Sequence, residues 1–342
     1  MPVSIPSFIS PVPTEELKFD SNSIVIEDDG MEYLIGEAAS QESLKSQRQV
    51  GGTLKRPQYR RLLKGLVASI LGEGKHKVTP TMSASLQWID YFREGAGHSK
   101  FSDENKKLLI EAISEIKFKT SSNLSSWKIC QVEMDESAFV YSEIQAVAAS
   151  IPPQLKTYVL WQLGHGDLQQ VVVIDGKPQT STLSQAEGIA GAINKFATLA
   201  GLSEGEALKA WHSNTVPEKN GMNGRRIDAT KYKKIAIHQY YNEVFASLIN
   251  KNEKYKERAT NIILSGGGAK DEMFVSMLKA EVEADGIYKL FKINELPIKD
   301  TRCDDPSFTC VNGLISIGSQ VRSNYKILAL DVGNSYLKGD YQ

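Results

Sequence analysis

The sequence lacks an apolar stretch long enough to cross a membrane, since none of its hydrophobic runs approaches the ~20 residues that a spanning helix needs. Its amino end, MPVSIPSFIS, also lacks the basic segment and apolar block of a secretory signal. These absences predict a cytoplasmic protein that makes no membrane contact.

The sequence also lacks an excess of either charge, because 40 Lys and Arg residues stand against 41 Asp and Glu residues, a formal net charge of -1. Direct binding of nucleic acid depends on basic side chains that neutralise phosphates. We therefore expect no direct nucleic-acid binding. One local basic cluster is predicted to be a solvated helix face; it comprises Lys55, Arg56, Arg60, Arg61 and Lys64.

Cysteine is scarce as well: the whole chain has three, Cys130, Cys303 and Cys310. Three cysteines cannot all pair, and none shows the two-residue spacing of a metal-binding motif. The pattern predicts reduced and mostly buried thiols.

What the sequence does contain is an alternation of strand and helix patterns over 342 residues, a length that predicts two domains of about 150 residues each. The Asp29-Gly30 turn between two apolar runs predicts a hairpin. A helical region is predicted from Pro57 to Ile116, interrupted by the loops GEGKHK and EGAGHSK. A further helix is predicted over SAFVYSEIQAVAASI, ending before Pro152.

The last eighteen residues, YKILALDVGNSYLKGDYQ, predict a buried strand, a short loop and a return strand. Glycine in the loop lets backbone approach an anion, and hydroxyl, amide and lysine groups bind phosphate. Asp331 at the strand end suits a hydrated Mg²⁺, which takes few carboxylates. A plain hairpin with a Gly-Asn turn is the alternative. The candidate phosphate ligands are Asp331, Gly333, Asn334, Ser335 and Lys338.

Two more glycine-containing loops follow predicted strands. TYVLWQLGHGDLQQVVVIDG repeats the strand, loop and strand plan, with Gly164, His165, Gly166 and Asp167 in its turn. NIILSGGGAKDEMF ends a strand on Gly266, Gly267 and Gly268 before a helix start that favours anions. Three glycines leave bare backbone that a ring or ribose can approach, so we expect ligand contact there. A simple strand-to-helix turn is the alternative.

The order of these motifs resembles that of the actin-like ATPases, particularly the bacterial plasmid-segregation actins of the ParM type. The match requires a circular permutation, because the family's first two strands lie here at the carboxyl end, before VSIPSFIS when Gln342 is joined to Met1. The matching segments are LALDVGNSYLKGDYQ, VSIPSFIS, IQAV, LGHGD, LSGGGA and SFTCVNGL. Several such motifs in cyclic order are far more specific than any one alone.

The resemblance implies an α/β, actin-like (ribonuclease H-like) two-domain ATPase fold, circularly permuted. Residues 1–152 plus 309–342 would form domain I, and residues 153–308 would form domain II. Phosphates of ATP or ADP would lie between the first two loops, with Mg²⁺ near Asp331, and the adenosine would lie against Gly266 to Gly268.

Resemblance also assigns candidate catalytic residues. Gln145, in the IQAV segment, matches the glutamine that positions the attacking water in eukaryotic actin. Gln162 stands where the family normally has Asp, so the expected carboxylate is missing. Either Asp167 or Glu143 compensates for it, or hydrolysis is slow or absent and the nucleotide is a structural ligand.

The function implied by the resemblance is ATP-dependent polymerisation into filaments that move or partition DNA such as a plasmid. Binding of DNA would require an adaptor protein. Two other classes stay open: a small-molecule kinase of the same superfamily, and a nucleotide-binding regulator that does not polymerise.

Overall fold

The computed structural model describes residues 2–12, 23–41, 47–48, 52–95, 99–135, 137–218, 226–296, 304–320, 325–333 and 336–342. The chain divides into two compact units. Unit 1 consists of residues 1–150 and 308–342, and unit 2 consists of residues 151–307. Two separated segments of the chain therefore build unit 1.

Unit 1 is built on one large sheet with helices. Its strands are β1 (Val3–Pro6), β2 (Phe8–Pro11), β3 (Ser23–Asp28), β4 (Met31–Gly36), β5 (Gln47–Arg48), β6 (Gly74–Ala84), β7 (Glu115–Thr120), β8 (Asn123–Met134), β9 (Phe139–Ser142), β17 (Lys326–Val332) and β18 (Tyr336–Tyr341). Its helices are α1 (Glu37–Gln41), α2 (Pro57–Leu71), α3 (Ile89–Phe92), α4 (Asp103–Ile113), α5 (Glu143–Ser150) and α11 (Thr309–Gly318).

The carboxyl-terminal hairpin lies inside this sheet. β17 pairs with β18 in antiparallel and with β6 in parallel orientation. β18 pairs on its other side with β1, also antiparallel, and β6 pairs in parallel with β9. The buried run Ile327 to Leu330 needs cover on both faces, which a central strand receives. The local strand order is therefore β1-β18-β17-β6-β9.

Helices pack on this sheet through the apolar positions that the sequence pattern predicts. α2 begins at Pro57, whose fixed φ suits a first helical position. It buries Tyr59, Leu62, Leu63 and Leu66 in the core of unit 1. α11 crosses α5 closely, because a Cβ added to Gly313 would lie 1.6 Å from the carbonyl oxygen of Ala146. Glycine at position 313 therefore allows α11 and α5 to pack directly against each other.

Unit 2 repeats the arrangement on a smaller scale. Its strands are β10 (Tyr158–Leu163), β11 (Asp167–Ile174), β12 (Lys177–Glu187), β13 (Thr215–Pro217), β14 (Arg226–Asp228), β15 (Asn261–Ser265) and β16 (Lys289–Lys292). Its helices are α6 (Ile189–Ala200), α7 (Glu204–Ser213), α8 (Thr230–Tyr240), α9 (Ala246–Lys251) and α10 (Glu272–Val282). Large aromatic side chains, Trp161, Phe196, Trp211, Tyr240 and Phe245, fill its core.

The five-stranded sheet of unit 2 has the order β12-β11-β10-β15-β16. β10 and β11 are antiparallel, β11 and β12 are antiparallel, and β10, β15 and β16 run parallel. The five strands β1-β18-β17-β6-β9 of unit 1 have the same orientations in the same order. The two units therefore share one strand plan, although the chain visits the strands of unit 1 in a different sequence.

Two stretches predicted as helix or loop are strands, so the prediction was wrong there. Residues 74–84 form β6, the parallel neighbour of β17, and are buried from Val78 to Ala84. Pro80 within this run weakens the strand pattern in the sequence, and pairing with β17 decides the structure. Residues 139–142 form β9 rather than the first turn of α5, because they pair in parallel with β6.

The basic cluster around α2 is also more than a solvated face. Arg61 Nε and Lys64 Nζ lie 2.7 Å and 2.5 Å from the carboxylate of Asp28, and all three side chains are largely buried. Burial raises the pKa of Asp28, but the hydrogen bonds from Lys64 and Arg61 outweigh it and hold that pKa below its ordinary value. These two cations therefore anchor α2 to the β3–β4 hairpin.

Candidate functional site

The first part of the candidate site is a row of polar side chains across three strands of unit 1. Asp331, near the carboxyl end of β17, is directly opposite Lys338 of β18 and Ser83 of β6. Residues paired across a sheet project from the same face. Ser83 Oγ donates a hydrogen bond of 2.7 Å to Asp331 Oδ1, and both residues are buried, with exposures of 2% and 7%.

Two buried groups lie near enough to Asp331 of this row, and to Glu143, to be influenced by both carboxylates. Burial raises the pKa of the Cys310 thiol well above its ordinary value, and the carboxylates of Asp331 and Glu143 raise it further. The same three causes raise the pKa of Tyr59. Asp331 and Glu143 therefore act on the same buried surroundings, with Asp331 on β17 and Glu143 at the start of α5. A small open cavity of about 40 Å³ is lined there by Tyr59, Ser83, Trp88, Glu143 and Gly333, among others.

The loop after β17 is held by a residue that sequence reasoning missed. Ser7 Oγ, in the short break between β1 and β2, donates a hydrogen bond of 2.7 Å to the carbonyl oxygen of Gly333. Gly333 N in turn donates to Tyr336 O at 3.2 Å. Only the placement of β1 beside β18 brings Ser7 there, so no local signal identifies it. The predicted ligands Asn334 and Ser335 lie outside the described residues.

Gln145 lies in the first turn of α5, and its side chain is engaged by its own helix start. Its Oε1 accepts hydrogen bonds from Ser142 N at 3.1 Å and from Ser142 Oγ at 3.0 Å. Gln145 N donates to Ser142 Oγ at 3.4 Å, which completes a capping box. Arg93 Nη2 also approaches Gln145 Oε1, at 3.5 Å.

Unit 2 carries the second row, which has no charge at the matching positions. Gln162 of β10 is opposite Gln169 of β11 and Ser265 of β15, as Asp331 is opposite Lys338 and Ser83. Gln162 Oε1 is buried and has no hydrogen-bond partner within the part of the chain that the structure describes. A buried acceptor of this kind suits a water molecule or a ligand hydrogen-bond donor.

The loop that follows β10 is folded back onto the start of α6. Ile189 N and Ala190 N donate to the carbonyl oxygens of Gly164 and His165, and Gly188 N donates to that of Gly166. A Cβ on Gly188 would lie 2.6 Å from Asp167 N and from His165 O. Gly188 is thus required for the loop to close, a role that the sequence pattern did not reveal.

Asp167 is the carboxylate of this loop, and two glutamines orient it. Asp167 Oδ2 accepts hydrogen bonds from Gln169 Nε2 at 2.9 Å and from Gln185 Nε2 at 3.1 Å. The amides of Gln169, in the unit 2 row, and of Gln185 therefore point their donors at Asp167. Within unit 2, the structure brings Gln162, Gly164, His165, Gly166 and Asp167 together at one end of β10 and β11.

The three glycines after β15 divide into two kinds. A Cβ on Gly266 would lie 2.3 Å from the carbonyl oxygen of Leu163, and a Cβ on Gly268 would lie 2.5 Å from the Leu163 side chain. Gly266 also has a positive φ of 94°, which disfavours other residues. Packing against β10 is therefore sufficient to explain why residues 266 and 268 are glycines. A Cβ on Gly267 would meet nothing within 4 Å, so its backbone is the one open to a ligand.

The structure places no ready-made metal centre in the described ranges, since they contain no group of three or more His, Cys, Asp or Glu side chains that could hold an ion. In the same ranges no helix is long and apolar enough to span a membrane. The two observed free thiols, Cys130 and Cys310, are buried, as predicted, and Cys303 lies outside the described residues.

The fold is the actin-like ATPase fold, as predicted. No protein-family model matches the chain, and no curated protein matches it significantly. Solved structures match it over nearly its full length. The archaeal actin homolog Ta0583 is similar with a TM-score of 0.64 at 16% identity, over 93% of this chain and 92% of that one.

Two ParM structures are similar to the same degree. A non-polymerisable quadruple mutant of pCBH ParM has a TM-score of 0.63 at 15% identity, with 93% of each chain covered. ParM of Bacillus thuringiensis with ATP has a TM-score of 0.58 at 14% identity, over 92% of this chain and 90% of that one. At identities this low, the structural similarity establishes a shared fold and nothing beyond it.

Proposed function

We propose that this chain binds and hydrolyses ATP and polymerises into actin-like filaments that serve plasmid or DNA segregation. The observation that carries the proposal is the repeated strand plan, in which Asp331 of unit 1 and Gln162 of unit 2 hold the same register position before a glycine loop. The similar structures support it, since one is a ParM with ATP and another is an archaeal actin homolog with ADP.

The two units correspond in this proposal to actin-like domains I and II, with a circular permutation in domain I. Unit 2 visits its five strands in the order β10, β11, β12, β15 and β16. The equivalent strands of unit 1 are β17, β18, β1, β6 and β9, so its first two strands come last in the chain. Moving the β17–β18 hairpin ahead of β1 gives both units the same chain order, which supports the permutation.

Unit 1 contributes the first phosphate loop. Lys338 supplies a positive charge beside Asp331, and the backbone of Gly333 is fixed by Ser7. Asn334 and Ser335 complete the proposed loop in sequence. Unit 2 contributes Gly164, His165, Gly166 and Asp167 as the second phosphate loop. Gly267 is the proposed backbone contact for adenosine, and Gly266 and Gly268 hold that turn against β10.

Magnesium fits the Asp331 side chain. Ser83 occupies Oδ1 of this buried carboxylate, and Oδ2 makes no hydrogen bond to the residues that the structure describes. Mg²⁺ bound with nucleotide keeps several waters and needs only one or two carboxylates, so the single carboxylate of Asp331 suffices. When bound, the ion would neutralise phosphate charge.

In the proposed hydrolysis, water attacks the γ-phosphorus and the bond to the β–γ bridging oxygen breaks, giving ADP, orthophosphate and a proton. Gln145 positions the water, and Lys338 offsets charge on the phosphates. Gln162 offers hydrogen bonds without a carboxylate, so we propose a slow reaction. Glu143 and Asp167 are the acids available to compensate in unit 1 and unit 2 respectively.

Self-assembly is the proposed quaternary behaviour. One of the similar structures is a ParM quadruple mutant described as non-polymerisable, and that description implies that the unmutated ParM polymerises. A DNA-binding adaptor protein is the proposed link to cargo, since the near-neutral chain has no charge excess for DNA.

Replacement of Asp331 tests the proposed nucleotide site. Asp331→Ala is expected to abolish magnesium-dependent ATP binding measured by titration calorimetry. Asp331→Asn keeps the side-chain shape and an acceptor for Ser83, so it preserves the fold and still lowers affinity by about 10-fold or more through loss of the charge. Unchanged affinity in a folded Asp331→Asn protein would remove Asp331 from the site.

A further inference from the structure

The side-chain oxygen of Gln145 is already engaged in this structure. Its oxygen accepts from Ser142 N at 3.1 Å and from Ser142 Oγ at 3.0 Å, and Arg93 Nη2 lies 3.5 Å away. An amide oxygen has two lone pairs. Donors from Ser142 and Arg93 already surround this oxygen, so it cannot accept a hydrogen bond from a water while they stay in place.

Sequence and burial both explain why Ser142 holds this position. Ser142 ends β9, pairs with Ala84 of β6, and has an exposure of 2%. Ser-Glu-Ile-Gln, residues 142–145, has the spacing of a capping box, in which the residue at the third helical position folds back onto the cap. Gln145 therefore satisfies the backbone donor at the start of α5, which would otherwise be an unpaired helix end.

Arg93 strengthens the same arrangement. Its side chain is 9% exposed, and its nearest carboxylate is that of Asp90, at 3.8 Å and 70% exposed. Arg93 Nε is buried and has no partner in the described parts of the chain. Such an incompletely compensated guanidinium gains from a carbonyl acceptor, and Gln145 Oε1 is the one it approaches.

We propose that Ser142 and Arg93 are positioning residues that hold Gln145 in a resting conformation, from which its side-chain oxygen must be released before it can accept a hydrogen bond from the attacking water. This inference rests on the proposed role of Gln145 in ATP hydrolysis. The hydrogen bonds lost on release add to the barrier of the hydrolytic step, so the cap slows the reaction. Gln162 and the cap are then two separate reasons for slow turnover.

Ser142→Ala tests the proposal, because it deletes the hydroxyl and keeps the backbone donor. Steady-state phosphate release is expected to rise roughly 3- to 10-fold, the effect of one hydrogen bond, with the affinity for ATP unchanged. Ser142→Thr keeps the hydroxyl and is expected to stay well below Ser142→Ala. The double variant Ser142→Ala with Gln145→Ala is expected to fall to the rate of Gln145→Ala alone.

Ser102→Ala is the matched control for loss of a helix cap. Ser102 caps α4 in the same unit, where its Oγ accepts from Asn105 N at 3.3 Å. Both alanine variants lose a helix cap of the same kind and are destabilised to a similar degree, yet only Ser142→Ala should change the rate. A common rise in both would assign the effect to loosening of unit 1 and overturn the proposal.

The rates of these variants distinguish a failure of the proposed resting conformation from a failure of the proposed role of Gln145 in hydrolysis. If Gln145→Ala slows hydrolysis and Ser142→Ala leaves it equal to or below wild type, the resting conformation is wrong and the proposed role of Gln145 stands. If Gln145→Ala leaves the rate unchanged, that role itself is wrong. A folded chain that binds ATP but does not hydrolyse it, with or without Ser142, contradicts both.

Discussion

At the scale of single residues, Gln162 is one of the two positions that we propose to limit the rate of hydrolysis. It shares the register position of Asp331, and its buried Oε1 lacks a partner within the described residues. We expect Gln162→Asp to speed ATP hydrolysis by about 10-fold or more, because a carboxylate there can orient or deprotonate water. Phosphate release measured in single-turnover conditions checks this.

Gln162→Asn is the matched control for that change, since it has the length of Asp without the charge. We expect it to hydrolyse ATP no faster than the wild-type chain. Equal rates for Gln162→Asp and wild type would show that another acid, Asp167 or Glu143, already supplies the charge.

The sequence identified some residues of the candidate site and not others, for a physical reason. Some site residues directly follow an apolar run, so the predicted strand end and the glycine after it identify them; these are Asp331, Gly333 and the Gly164 loop. Ser83, Ser7 and Gly188 act through partners on distant segments, and nothing near them in sequence marks that role. The cap on Gln145 is different, because the Ser-x-x-Gln spacing of residues 142–145 is visible in the sequence and is typical of a capping box.

At the scale of elements, hairpins and amphipathic helices were predictable and the strand partners of the central hairpin were not. β3–β4, β10–β11 and β17–β18 each show an apolar run around a turn, and α2 repeats apolar residues at helix spacing. β6 and β9 have short or proline-interrupted patterns. Their strand conformation comes from tertiary pairing with β17 and with each other, which local propensity does not contain.

The β17–β18 hairpin is the element that the permutation proposal concerns. β18 and β1 are antiparallel neighbours with Gly339 opposite Val3, so a short turn through Gln342, Met1 and Pro2 can join them. We expect a rearranged chain, with residues 325–342 placed before residue 1, to unfold cooperatively within a few degrees of the natural chain. It should also bind magnesium-ATP with the same affinity. Calorimetry measures both properties.

A chain that simply lacks residues 325–342 is the control for that rearrangement. Loss of β17 and β18 leaves β1 and β6 without the two strands that join them, so this chain should not fold cooperatively. If the rearranged chain also failed to fold, the proposed equivalence of the two chain orders would be wrong.

At the scale of the whole molecule, the actin-like fold carries two proposed phosphate loops that differ in the charge of the side-chain rows beside them. Unit 1 carries an acid and a lysine in its row, and unit 2 carries glutamines in the same places. The fold was predictable because several loop motifs of the sequence together resemble those of the actin-like ATPases. Polymerisation depends on surfaces between copies, which neither motif order nor a single chain defines.

Sedimentation of the purified chain with ATP, ADP or a non-hydrolysable ATP analogue, each with magnesium, tests the central claim most directly. We expect ATP and the analogue to give pelletable filaments that are visible by electron microscopy, ADP to give less polymer, and Asp331→Asn to give none with any nucleotide. If no nucleotide produced pelletable material or filaments from the folded protein, the proposed filament-forming function would be contradicted.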